Sequence, residues 1–262
     1  MDFTEAQIHR YARHILLQEV GGVGQEKLLK AKVLVIGAGG LGSPLILYLA
    51  AAGVGTIGVV DDDKVDLSNL QRQIAHTTAR IGVAKTTSAK QAVASINPDV
   101  TVIEHNMRLT VYNAAALIAG YDVIADGSDN FPTRFLVNDA CFFAKKTLVS
   151  AAVLRFDGQL ATFRPHKGGP CYRCIYPEAP PPGQIPTCDE AGVLGAVAGV
   201  LGTLQATEVL KEILGIGESM AGRLLIYDAL SAVMRRVTVR PDPACALCGP
   251  QATITDLSAH RK

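Results

Sequence analysis

The chain is expected to fold as one α/β unit. Its sheet should be Rossmann-like and mostly parallel, continuing into a mixed sheet with antiparallel strands, with helices on both faces and structural zinc knuckles. Three observations predict this. Residues 32–61 read as an apolar strand, a glycine-rich turn, an apolar helix, a second apolar strand and an acid, which is how parallel nucleotide-binding sheets begin. Helix-like and strand-like stretches then alternate as far as residue 151, the rhythm of strand–helix–strand crossovers. Beyond that point Asp157-Gly158 falls between extended stretches and two Cys-x-x-Cys pairs appear, so the second half changes to hairpins and metal-type knuckles.

The elements follow in order. Thr4 with Gln7 fits a capping box, and Ile8, Tyr11 and Ile15 recur near helical spacing, predicting a first helix. Gly21, Gly22 and Gly24 should break the chain before a short helix that ends near Lys30. A strand over 32–36 leads through Gly37-Ala38-Gly39-Gly40-Leu41-Gly42 into a helix over 45–52, and a strand over 56–60 ends at Asp61. A helix over 84–96 is stopped by Asn97-Pro98. A strand over 100–103, a helix over 111–119 and a strand over 121–125 come next. The loop Asp126-Gly127-Ser128-Asp129-Asn130 precedes a helix over 133–144 and a strand over 147–151. Residues 153–163 read as a hairpin turning at Asp157-Gly158, and 177–186 as a proline-rich draped loop. A long helix over 192–214 and strands over 224–227 and 233–239 complete the pattern. No repeat or linker divides it. The expectation is one domain over 1–250, made of N-terminal helices (1–30), a nucleotide-binding core (31–150) and a zinc-bearing part (151–250), with 251–262 as a C-terminal tail.

Composition narrows the class. Hydrophobic residues make up 48% of 262 and charged residues 19%, so a sizeable core can form and disorder is excluded. Twenty-five basic residues against 24 acidic ones give a formal charge of +1, which argues against a general nucleic-acid binder. The N-terminus has no secretory pattern, and the apolar run over 191–202 is cut short by Thr203, Gln205 and Glu208, too early for a membrane span. A cytoplasmic protein with reduced or metal-bound cysteines is expected.

The chemistry sits in few places. Gly37, Gly39 and Gly42 let backbone approach a phosphate at a helix N-terminus, and Asp61 is placed to accept from ribose hydroxyls. That motif alone suits NAD, FAD or ATP. The polar run over 61–73, with Arg72 and then Lys85, places two cations near the acid and suits a triphosphate better than a dinucleotide. Asp126 and Asp129 follow a parallel strand, where open sheets bind ligands. Asp129, farther from the strand end, is the freer to hold magnesium, whereas Asp126 can instead cap the loop or the next helix. The six histidines are scattered and read as structural or surface residues. Cys171, Cys174, Cys245 and Cys248 form two knuckles suited to one tetrahedral zinc ion of structural type, with a redox pair as the alternative. Cys141 falls on an apolar helix face. Cys188 precedes the long helix, where it is either an activated thiol or a helix cap.

The combination is specific. Gly37 to Gly42, Asp61 to Asp63, Ser68-Asn69-Leu70-Gln71-Arg72, Asp126 to Asn130, both cysteine pairs and the Cys188-Asp189-Glu190 stretch together resemble the bacterial ubiquitin-activating-like adenylyltransferases. That family includes the molybdopterin-synthase and the thiazole-synthesis adenylyltransferases. The likeness implies ATP-dependent adenylylation of the C-terminal glycine carboxylate of a small ubiquitin-like sulfur carrier, releasing pyrophosphate. It implies Gly40, Asp61, Ser68, Asn69, Leu70, Gln71, Arg72, Lys85, Asp129 and Asn130 as nucleotide contacts. Asp129 would hold Mg²⁺, Arg13 would reach the triphosphate from the partner of a homodimer, and Cys188 would lie near the carrier tail. Residues 151–250 would receive the carrier. The residues after Gly249 leave no room for a sulfurtransferase, so the sulfur donor is expected to be a separate cysteine desulfurase or sulfurtransferase. The expected carrier is the small subunit of molybdopterin synthase, with the thiazole carrier as the alternative. A dinucleotide-dependent oxidoreductase with structural zinc is the competing class. A non-catalytic scaffold is disfavoured because Arg13, Arg72, Lys85 and Asp129 are all present.

Overall fold

The computed structural model describes residues 3–181, 183, 184, 186 and 188–261, with the side chains of Cys188 and Asp189 outside that set. Helices α1 (Glu5–Ile15) and α2 (Gly21–Lys30) lead into β1 (Lys32–Ile36), α3 (Gly42–Ala52) and β2 (Thr56–Val60). Next come α4 (Lys85–Ile96), β3 (Thr101–His105), α5 (Ala114–Ala119), β4 (Val123–Asp126) and α6 (Phe131–Phe143). The second half contains β5 (Thr147–Leu154), β6 (Asp157–Phe163), α7 (Cys188–Ala191), α8 (Gly195–Leu214), β7 (Arg223–Asp228) and β8 (Val233–Thr238). All eight strands join one sheet in the order β3-β2-β1-β4-β5-β6-β7-β8. Strands β3 to β5 of that order are parallel, and β6, β7 and β8 are antiparallel additions.

Alternation along β1 builds both layers. Val33 and Val35 point into a core shared with Leu45, Leu49 and Val93 of α3 and α4 and with Leu201 and Val209 of α8. Leu34 and Ile36 point the other way, against Ile118 of α5 and Leu136 and Val137 of α6. A strand buried on both faces must be apolar throughout, as this one is after Lys32. Helix α1 carries the expected capping box between Thr4 and Gln7. It is pinned by Tyr11, whose hydroxyl accepts the side-chain N–H of Asn97 at 2.8 Å. The same ring lies where a Cβ on Gly53 would sit, and Gly53 has φ +82°, so glycine is required twice over.

Several boundaries differ from expectation for physical reasons. The 21–24 glycines do not break the chain but form the first turn of α2. The hairpin turns at Arg155-Phe156, with Arg155 at φ +55°, while Asp157 and Gly158 already pair with Leu154 and Val153. Gly158 serves packing instead: a Cβ there would lie 2.4 Å from Leu201 of α8. The long helix starts at Gly195 because residues 192–194 are tied to the hairpin tip, where Arg155 N–H donates to Gly192 O and Leu194 N–H to Arg155 O. Helix α5 is shorter than the apolar run that suggested it, since the Asn113 side chain closes a turn on the Thr110 N–H. The 251–261 segment is packed: Ile254 lies against the cysteine cluster, Leu257 against the α6 core, and His260 Nε2 is 2.8 Å from Asp139 Oδ2. The 177–186 loop is only partly within the described residues.

Candidate active site

Strand β1 has β2 on one side and β4 on the other, so the chain changes direction across the β1/β4 boundary. Crevices at such a boundary bind ligands beyond the carboxyl ends of the strands. A cavity of about 960 Å³ opens there. Its walls come from the glycine turn (Gly37, Gly39, Gly40), the end of β2 (Asp61 to Asp63), Arg72, Lys85, the β4–α6 loop (Gly127 to Asn130) and the β5–β6 hairpin.

The glycine turn is tight for a reason visible in its neighbours. A Cβ on Gly42 would stand 1.9 Å from Gly37 O, and Gly37 itself has φ +89°. The turn is held by Asp61, whose Oδ2 accepts Ala38 N–H at 2.8 Å and whose Oδ1 accepts Asp63 N–H at 2.9 Å. Burial raises the Asp61 pKa, and Lys85 and the two amides oppose that rise. Lys85 opens α4 with its side chain almost enclosed, and its Nζ donates to Asp63 Oδ2 at 2.7 Å. Arg72 Nη1 donates to Ser68 O at 3.1 Å.

Asp126 and Asp129 have separated roles. Asp126 is fully buried; its Oδ1 accepts Ser128 N–H at 2.9 Å, its Oδ2 accepts the Ser150 hydroxyl, and Arg134 stands 3.8 Å away. It is the loop cap. Asp129 lines the cavity, with Asn130 Nδ2 donating to its Oδ1 at 3.3 Å. Asn130 also caps α6 by accepting Thr133 N–H at 2.9 Å. A carboxylate oxygen beside a polyanion pocket fits a hard divalent cation.

Gly40, Asp61, Arg72, Lys85, Asp129 and Asn130 are therefore brought together. Ser68, Asn69, Leu70 and Gln71 are not among the cavity walls: Leu67–Asn69 is a single helical turn in which Ser68 donates to Asp66. Arg13 is exposed on α1 and is not among the cavity walls of its own chain. The backbone of Cys188 begins α7, and its side chain lies outside the described residues. Sequence reasoning missed Gln73, Ser128 and Arg134, all buried cavity-wall residues. Gln73 Oε1 and Ser128 Oγ have no hydrogen-bond partner among the described residues. Only proximity to the motifs pointed to them.

The four knuckle cysteines meet outside the cavity. Cys171 Sγ is 3.9 Å from Cys174 Sγ and 3.5 Å from Cys245 Sγ, and Cys174 Sγ is 3.4 Å from Cys248 Sγ. Disulfides need about 2.05 Å, whereas sulfurs placed about 2.3 Å from a tetrahedral centre lie about 3.8 Å apart. Backbone N–H groups of Asp242 and Cys248 donate to Cys174 and Cys245 sulfurs, as suits thiolates. Hydrogen bonding from Cys171 lowers the pKa of the Cys174 thiol. The cluster can hold one zinc ion. Cys141 is core, and burial pushes its thiol up.

The model of the ThiF family matches residues 11–247. The chain belongs to the ThiF family. A sulfur carrier protein adenylyltransferase of Thermus thermophilus is 48% identical over 261 residues, covering 98% of this chain and 96% of that one. The SAMP-activating enzyme E1 of Haloferax volcanii is 50% identical over 249 residues, covering 95% and 92%. The probable adenylyltransferase/sulfurtransferase MoeZ of Mycobacterium tuberculosis is 50% identical over 244 residues, and the chain spans 62% of its length. Crystalline E. coli MccB shares the fold, with a TM-score of 0.81 at 23% identity over 95% of this chain and 75% of that one. This ThiF-family chain is an adenylyltransferase. The oxidoreductase reading of the glycine turn is thereby set aside. No helix among the described residues is long and apolar enough to cross a membrane.

Proposed function

We infer that the enzyme uses ATP to adenylylate the C-terminal glycine carboxylate of a small ubiquitin-like sulfur carrier, releasing pyrophosphate. The observation that carries this reading is the single cavity that gathers Asp61, Arg72, Lys85 and Asp129 at the strand switch. The near full-length match to a sulfur carrier protein adenylyltransferase supports the substrate class. The carrier assigned here is the small subunit of molybdopterin synthase, on the overall likeness of the chain and its intact first helix. A homodimer in the cytoplasm, fed by a separate sulfur donor, completes the proposal.

The chemistry follows from charge. The attacking carboxylate is already ionised, so no general base is needed, but it must approach a polyanion. Arg72 and Lys85 offset that repulsion and stabilise pyrophosphate as it leaves. Asp61 anchors the ribose from the end of β2. Mg²⁺ held by Asp129 would supply further charge neutralisation at the phosphates. Zinc on the four cysteines would be structural, because a closed thiolate shell leaves no open position.

The test is ATP–pyrophosphate exchange with each purified Gly-Gly carrier supplied separately. Exchange supported by the molybdopterin-synthase subunit and not by the thiazole carrier is the expected result. The reverse pattern reassigns the carrier, and no carrier-dependent exchange removes the reading.

A further inference from the structure

One fully internal histidine lies behind the cavity without touching it. His76 is 6% exposed, and its two ring nitrogens are both engaged. Nε2 stands 2.9 Å from Ala38 O, on the glycine turn, and Nδ1 stands 2.9 Å from Ser88 Oγ, one turn into α4. A carbonyl can only accept, so Nε2 carries the proton and Nδ1 accepts from the serine hydroxyl. Arg80 Nη1 donates to Ser88 O and Oγ, which leaves that hydroxyl's hydrogen for the ring.

Both ends of this bridge matter to the site. Ala38 is held at its N–H by Asp61 and at its C=O by His76, so both peptide groups flanking its Cα are fixed. Ser88 lies three residues after Lys85, on the helix that Lys85 opens. One imidazole therefore spans the glycine turn and the helix that presents the phosphate-facing lysine. Burial lowers the pKa of His76, consistent with a neutral ring making both bonds.

We propose that His76 is a positioning residue for nucleotide binding: its ring sets the distance between the 37–42 glycine turn, Asp61 and Lys85. A phosphate site is sensitive to such spacing because small displacements of cations from their target cost much of their effect. The inference rests on the reading of this cavity as the ATP site. It does not depend on which carrier is used.

The test is calorimetric titration of the whole protein with Mg²⁺ and a non-hydrolysable ATP analogue, alongside the thermal midpoint of each variant. His76→Phe removes both bonds, and His76→Gln keeps one N–H for Ala38 O. Ser88→Ala leaves the ring but removes its Nδ1 partner. The analogue should bind about tenfold more weakly to the folded His76→Phe variant, about threefold more weakly to Ser88→Ala, and with intermediate loss to His76→Gln. In exchange assays KM for ATP should rise while KM for the carrier is unchanged. A lowered thermal midpoint with wild-type analogue affinity in Ser88→Ala and in folded His76→Phe would overturn the proposal. Should His76→Phe fail to fold, Ser88→Ala decides alone, and unchanged affinity there is the overturning result. Analogue binding is read without a carrier, so failure of every carrier in exchange leaves this result independent.

Discussion

Lys85 Nζ donates to Asp63 Oδ2 across 2.7 Å, although the lysine side chain is 7% exposed and the aspartate's is 66% exposed. Solvent around the exposed Asp63 screens the pair, so under the proposed function an incoming phosphate would displace the aspartate from the lysine. Lys85→Met should lower kcat/KM for ATP in the exchange assay by about a hundredfold, the scale of one charge-assisted contact. Asp63→Asn should change it by no more than about fivefold. Equal losses in the two variants would assign the aspartate a direct role.

Asp126 and Asp129 stand three residues apart yet should fail differently. Asp129→Ala should abolish Mg²⁺-dependent exchange with the thermal midpoint almost unchanged. Asp126→Ala leaves buried Arg134 without its carboxylate, which should cost about 3 kcal/mol or more in urea unfolding.

Arg13 is exposed and is not among the walls of its own cavity, and in the proposed homodimer it would serve the partner's site. Mixing inactive Arg13→Ala and Asp129→Ala proteins should then restore activity, since about a quarter of the sites in a random dimer mixture carry both residues. A mixture as inactive as its parts would refute the shared site.

Cys171→Ser should lose one equivalent of zinc per chain by elemental analysis and lower the thermal midpoint of the whole protein, because the cluster joins the 171–174 and 245–248 segments. Cys141→Ala should keep full zinc. Unaltered zinc in Cys171→Ser would defeat the four-sulfur assignment.

Asp139 supplies a pH test. Its burial alone would raise the pKa, but hydrogen bonds from His260 and Arg173 outweigh this and hold the carboxyl below its usual 3.8. A depressed folded-state pKa means a stability contribution fully present above 3.8 that is lost as pH falls through the lower folded value. The unfolding free-energy difference between wild type and Asp139→Asn should shrink as pH falls below 3.8. A difference that grew with acidification would contradict the assignment.

Local chemistry made much of this readable in advance. The glycine turn, Asp61, Lys85 and the two cysteine pairs announce themselves because backbone approach, phosphate charge and metal geometry each demand a short, fixed residue pattern. Packing roles did not show. Gly158 resembles a turn residue until Leu201 is seen against it. Arg134 resembles a surface cation on a helix until its bonds to Ala151 O and Ser128 O are known. His76 joins residues 38 positions away and 12 positions onward, a relation no local spacing carries. Ser68 to Gln71 belong to the polar 61–73 run and are individually named as nucleotide contacts by family likeness, yet they stand outside the cavity walls.

The bonds that Asp139 makes also impose an order on biosynthesis. Asp139 leaves the ribosome 34 residues before Arg173 and 121 before His260, and Cys174 waits 74 residues for Cys248. Chains emerge from the N-terminus at about 5–20 residues per second. For several seconds the nascent parallel half therefore holds a buried carboxylate lacking its last partner and an incomplete set of thiols. The last bond to that acid and the meeting of the four sulfurs therefore come late, and a chain stalled before residue 245 would lack both.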